Sequence, residues 1–174
     1  MNPTTDMTKE SMPEILSLAQ IQHLMRVEFS RAQRYSYPII CMVVTVDQLG
    51  ALRDRLGYEV KEIVIEAIIA LLHAQTRGSD FIGRLPDDRF MIVVPHSMPD
   101  EVEIMAKRLV SGAVAMSIPE LEGDGITLSI GGSFMIRGET LFFDDLLQTA
   151  QRCLAQVASD GGNGLLMESP SGAL

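Results

Sequence analysis

Basic residues are scarce in this chain: 14 Lys and Arg stand against 23 Asp and Glu among 174 residues, for a net charge of −9. Binding nucleic acid without regard to sequence needs a field of cations that displaces counterions, so that class of function is excluded, and any anionic ligand requires a local basic pocket. Cysteine is rarer, with Cys41 in an apolar strand-like run and Cys153 on a helix-like face. Both read as small buried hydrophobes in a reducing compartment, which excludes a disulfide framework. The histidines, His23, His73 and His96, have no Cys or second His at a ligand spacing, and no nucleophile-elbow pattern frames a Ser. Long apolar runs are missing too: Ile39 to Val44 is short and Ile63 to Leu72 is broken by Glu66, so neither crosses a bilayer. The opening MNPTTDMTKESMPE has no apolar core behind a basic start, which excludes a secretory signal and leaves a cytoplasmic address as the expectation.

What is there is 47% hydrophobic content, enough for one sizeable core, with no composition shift and no internal repeat. Residues 1–12 and 169–174 are aperiodic and polar and are expected to be flexible tails, leaving one domain over 13–168. Ile15, Leu18, Ile21, Met25, Phe29 and Ala32 fall at helical spacing, and the step from Tyr37 to Pro38 stops that helix. Ile39 to Val46 is a β-branched run, as a strand covered on both faces would be. Val60 to Leu72 carries a long apolar stripe on a second helix. Phe81 to Arg84 and Arg89 to Val94 read as a hairpin with its tight turn at Leu85 to Asp88. A third helix around Val102 to Val110, a strand from Thr127 to Met135, a fourth helix over Leu146 to Val157 and a short strand near Leu165 to Met167 complete the order. Helices alternating with strands around one hairpin predict an α/β (α+β) two-layer sandwich on a mostly antiparallel sheet.

The segment from Arg77 to Phe90, RGSDFIGRLPDDRF, together with RAQRYSYPIICMVVTVDQLGALRDRLGY and TLSIGG, resembles the GGDEF family of bacterial diguanylate cyclases. Members condense two molecules of GTP into cyclic di-GMP, on a palm-like βαββαβ core with surrounding helices. The resemblance covers residues 14 to 167. In the family an Arg-x-x-Asp pair precedes a strand and then the turn Gly-Gly-Asp/Glu-Glu-Phe. Here Arg77 and Asp80 occupy the pair, and the turn becomes Pro86, Asp87, Asp88, Arg89 and Phe90.

Measured against the family pattern, the catalytic letters are changed. The resemblance assigns metal binding to the positions of Thr45 and Arg89, where a hydroxyl and a guanidinium replace carboxylates; Asp47 remains, but the acidic pair is broken. Pro86 and Asp87 replace the glycines that let backbone approach phosphate, and Pro also removes an amide donor. The guanine-reading positions hold Arg53 and Glu62, the late phosphate contacts hold Ala158 and Gly162 beside Asn163, and the opening motif has become PEIL at Pro13 to Leu16. Catalysis and metal binding are therefore expected to be absent, with no cofactor and with Asp87, Asp88 and Arg89 as a solvated hairpin tip. The Arg-x-x-Asp pair matches the family's inhibitory product site, and Arg108 lies where a second Arg contributes. Arg77 can present parallel donors to the O6 and N7 edge of guanine while Asp80 accepts from N1 and N2. The bland alternative is that Arg77 serves the helix dipole and Asp80 merely precedes a strand. Two functions follow: a catalytically inactive cyclic di-GMP receptor that signals to a partner protein, with a ligand-linked homodimer open to it, or a nucleotide-independent dimerisation or docking scaffold.

Overall fold

The computed structural model describes residues 15–140 and 142–170. The stretch 1–14, with the expected N-terminal tail and Pro13 and Glu14 of PEIL, lies outside the described residues, as do Leu141 and 171–174. Five strands form one sheet in the order β2-β3-β1-β4-β5. They are β1 (Ile39–Val46), β2 (Phe81–Arg84), β3 (Phe90–Pro95), β4 (Leu128–Met135) and β5 (Gly164–Glu168). All neighbours are antiparallel except β4 and β5.

Strand β1 sits at the centre, and its unbroken apolar run serves two cores at once. Successive side chains alternate between faces, so Ile39, Cys41 and Val43 pack with α1 (Leu18–Tyr35) and α5 (Phe143–Ser159). Ile40, Met42, Val44 and Val46 pack on the other face with α3 (Tyr58–Gln75) and α4 (Pro99–Val114). The palm-like α/β architecture with a mostly antiparallel sheet and surrounding helices is present, and the helices divide between both faces, which adds a second helical layer to the sandwich. Both cysteines are buried and unpaired. No described helix is long and apolar enough to cross a membrane.

Two local departures have clear causes. Ile15 shares helical spacing with α1, but the helix begins only at Leu18 because Ser17 caps it: the Gln20 amide donates to Ser17 Oγ (3.2 Å) and the Ser17 amide to Gln20 Oε1 (2.8 Å). Leu16 instead extends along β2, with its amide donating to Ile82 O and its carbonyl accepting from the Arg84 amide, both at 2.9 Å. A further helix, α2 (Leu49–Leu56), lies between β1 and α3. None of its residues is fully buried, so it carried no strong periodic signal.

Close backbone packing explains one glycine. A Cβ on Gly131, in the middle of β4, would lie 2.1 Å from Ala150 O and 2.2 Å from Leu154 N, so α5 rests directly on the strand.

Candidate functional site

Arg77 and Asp80 form the turn between α3 and β2. The Arg77 amide donates to Asp80 Oδ2 (2.8 Å), and the Asp80 amide donates to Arg77 O (3.0 Å), so the pair closes its own turn. The Arg77 guanidinium is exposed and leans towards the start of α4, where Nη1 donates to Ser97 Oγ (3.3 Å). Arg108, on the exposed face of α4, lines the same cavity as Arg77 and Asp80, along with Gln75, Ser97 and Glu101. The structure thus brings together all three residues that the sequence nominated for a ligand.

Asp80 is in an unusual state for a surface turn. Its Oδ1 is buried and has no hydrogen-bond partner among the described residues. Burial pushes its carboxyl up from the ordinary value, with the Arg77 amide and guanidinium pulling the other way. An unpartnered buried acceptor costs stability until something donates to it. A second cavity at the turn is lined by Leu16, His73, Thr76, Phe81 and Ile82 together with the turn residues. Arg77 and Asp80 line both cavities.

The signature turn is more structured than a solvated tip. Pro86–Asp88 makes a single 3-10 turn, and the Leu85 amide donates to Arg89 O (2.8 Å). Asp87 is exposed, but Asp88 accepts from Lys61 Nζ (2.6 Å) and Arg84 Nη2 (2.8 Å), which holds its carboxyl below the ordinary range. Asp87 (φ 62) and Asp88 (φ 57) both adopt the left-handed conformation that glycine favours. The turn thus places a glycine-type backbone on side-chain-bearing residues. Phe90 is fully buried, as its place at the start of β3 requires.

Val44 and Phe90 form the last pair of the β1–β3 ladder; Thr45 follows the first and Arg89 precedes the second, so the two sit side by side at one end of that ladder. Just beyond them, Asp47 accepts from Thr127 Oγ1 and Ser129 Oγ (2.6 Å each) and from the Asn163 amide (2.9 Å). Both carboxylate oxygens are engaged, and the side chain ties the end of β1 to β4 and to the loop before β5. Gly162 is part of that clamp: a Cβ there would lie 2.7 Å from Asp47 Oδ2 and press on the carboxylate. Arg53 pairs with its neighbour Asp54 (3.2 Å), and Glu62 lies 4.0 Å from Lys61 Nζ. Among the described residues no group of three or more His, Cys, Asp or Glu is placed to hold a metal ion.

Sequence reasoning did not single out Ser97, Gln75 or Glu101, because they reach the cavity only through the folding of β3 and α4 against α3.

The family model described as "Diguanylate cyclase, GGDEF domain" matches residues 11–164. Probable diguanylate cyclase DgcC of Escherichia coli (strain K12) is 20% identical over 156 residues, covering 90% of this chain and 42% of its own length. Diguanylate cyclase DosC of the same strain is 22% identical over 153 residues, covering 87% and 33%. The chain therefore spans less than half the length of these curated relatives. Among solved structures, the GGDEF domain of DgcB from Caulobacter crescentus in complex with c-di-GMP superposes with a TM-score of 0.83 at 14% identity, over 95% of this chain and 98% of that one. The active GGEEF domain of a diguanylate cyclase from Vibrio cholerae gives 0.83 at 19% identity, over 88% and 97%. At such identities the likeness establishes the fold.

Proposed function

The chain belongs to the GGDEF domain family, and from that premise we propose that it is a catalytically inactive member that works as a cyclic di-GMP receptor. Arg77, Asp80 and Arg108 bind the ligand, and occupancy is passed to a protein partner. The observation that carries this reading is the meeting of those three residues at one cavity, with a buried carboxylate oxygen that lacks a donor among the described residues. Guanine supplies such donors at N1 and N2, and the two arginines offset the ligand's phosphate charge within an otherwise acidic chain.

Inactivity is supported by the chemistry of the opposite site. Two divalent cations on a nucleotide need several free carboxylate oxygens, and the residues here do not fit them. Thr45 brings no charge, Arg89 brings the wrong one, Asp47 spends both oxygens on its clamp, and Asp88 is held by Lys61 and Arg84. Pro86 and Asp87 also put a ring and an anion where backbone amides would meet phosphate.

Calorimetry with cyclic di-GMP tests the receptor reading: micromolar or tighter binding is expected for the wild type and none for Arg77→Ala. Absence of heat in the wild type overturns it. Incubation with GTP and magnesium or manganese is expected to give no cyclic product, and a detectable one refutes the account of the turn.

A further inference from the structure

The outward face of α1 departs from the charge pattern of the rest of the chain. Arg26, Ser30 and Arg34 recur at intervals of four and so share one side of the helix, with His23 a turn earlier and Arg31 on the flank, and all five are exposed. No Asp or Glu is exposed on α1. A helix that merely meets water is usually laced with opposite charges three or four residues apart, as Glu103 and Lys107 are on α4. The acid within α1, Glu28, is buried, with one oxygen accepting from Arg31 Nη1 (3.1 Å) and the other from Tyr37 Oη (3.0 Å). The loop after β4 packs on α1 at Gly138, where a Cβ would lie 3.5 Å from Gln33 O, and it adds the exposed Arg137 to the face. Glu139 in that loop is turned onto the amides of Ile136 and Arg137 (2.7 and 2.6 Å). Arg26, Arg34 and Arg137 have no ion-pair partner among the described residues.

We propose that this face is the docking surface for a protein partner that presents an acidic amphipathic helix. The proposal goes beyond the receptor reading and does not depend on it. Two of the guanidinium groups are held without being neutralised: Arg26 lies 4.8 Å from the centre of the Phe143 ring and Arg34 lies 5.5 Å from that of Tyr35. Such contacts fix a cation in place while leaving its charge for an incoming carboxylate, which lowers the ordering cost of binding. Tyr35 and Phe142 are 64% and 65% exposed and Val27 is exposed as well, so the apolar side of the partner helix has surface to bury. Arg26 and Arg34 are separated by about 12 Å along the axis at 1.5 Å per residue, so carboxylates roughly seven or eight residues apart on a facing helix meet both. Asp144 and Asp145, exposed at the start of α5 directly after Phe143, would be repelled by a broad anionic surface such as a bilayer, whereas a single helix can follow α1 alone. In a chain of net charge −9, a cationic face also orients an acidic partner and keeps it off the rest of the surface.

The test titrates the full chain with a synthetic amphipathic helix that carries Glu on its polar face, followed by ¹H–¹⁵N correlation spectra. Shifts are expected on α1 and on the loop around Arg137. Affinity should fall about tenfold for the Arg26→Ser/Arg34→Ser double variant, and about tenfold when Gln replaces Glu in the peptide. The Arg26→Glu/Arg34→Glu variant should instead prefer the same peptide with Lys in place of Glu, an exchange of preference that loss of folding cannot produce. Vesicles of phosphatidylserine and phosphatidylcholine should not bind the chain. The proposal is overturned if the peptide does not bind, if its shifts fall at Arg77, Arg84 or Arg108 in place of α1, or if the double variant stays within about twofold of wild type. Vesicle binding that the double variant abolishes also overturns it, in favour of a membrane as the occupant.

Discussion

Replacing Asp47 by Ala should cost this domain a large part of its stability. Asp47 is the acidic residue that remains at the end of β1, and its carboxylate receives two hydroxyl donors at 2.6 Å and one amide at 2.9 Å from two other segments of the chain. Hydrogen bonds to a charged group contribute about 1.5–3 kcal/mol each. Two considerations set the net figure below a simple total. Asp47 is half-buried, so water can satisfy the exposed Asn163 amide once the carboxylate is gone. Ser129, by contrast, is 0% exposed and its hydroxyl would be left without a partner. The expected loss is about 3–4 kcal/mol, a sizeable share of the 5–15 kcal/mol typical of a domain. That corresponds to a fall in Tm on the order of 10 °C. Urea denaturation followed by far-UV circular dichroism is the assay, with the slope m required to stay constant so that the change reports stability alone. Asp47→Asn keeps one acceptor but turns an amide donor towards donors, and should lose about half as much. In a double-mutant cycle, Ser129→Ala should couple to Asp47→Ala by about 1 kcal/mol or more. If Asp47→Ala stays within about 1 kcal/mol of wild type, the clamp contributes little and the argument that this carboxylate is committed to structure is refuted.

Asp87→Gly should stabilise the protein by about 0.5–1 kcal/mol, since it relieves a side chain held at φ 62, and a thermal scan should show Tm rising by a few degrees; a fall would mean that Asp87 makes an unrecognised contact. Asp88→Asn should cost about 1–2 kcal/mol at pH 7 through the loss of its Lys61 and Arg84 partners. Because those partners depress the Asp88 carboxyl, its contribution is present above the ordinary value of 3.8 and is lost as pH falls through the depressed one, so the denaturation midpoints of wild type and variant should converge at low pH. Asp80 has the opposite sign: its raised carboxyl is favourable at low pH and becomes a cost as pH rises through the raised value. Asp80→Asn, which can still accept from the Arg77 amide, should therefore be as stable as wild type or slightly more so at pH 7, yet bind cyclic di-GMP at least tenfold more weakly by calorimetry.

Much of this architecture was legible because it is written in local periodicity. The run from Ile39 to Val46 announces a strand buried on both faces, and the stripe from Val60 to Leu72 announces a core helix; both hold. The Arg-x-x-Asp turn was legible because its two residues are near neighbours and close on each other. What stayed hidden depends on distance along the chain. Lys61 and Asp88 meet only after the hairpin folds against α3, which is why Asp88 read as a solvated tip. Asp47 looked like the survivor of a broken acidic pair, and its engagement by Thr127, Ser129 and Asn163 could not be seen without the closing of β1 onto β4 and β5. The helix α2 escaped notice because it buries no side chain fully, and the entry of Leu16 alongside Gly83 overrode a helical spacing that had included Ile15.

The direct seating of α5 on Gly131 bears on how chains of this kind come to be recognised at all. A methyl group at that position would strike main-chain atoms of the helix, which cannot step aside as a side chain can. Gly131, within TLSIGG, is thus held by a steric demand that is indifferent to turnover. A lineage can discard every letter that handles nucleotide and still be obliged to keep this one. Membership in such a family, when traced through residues like Gly131, certifies inheritance of a shape; what the shape now does is recorded elsewhere, in the few side chains that face an empty space.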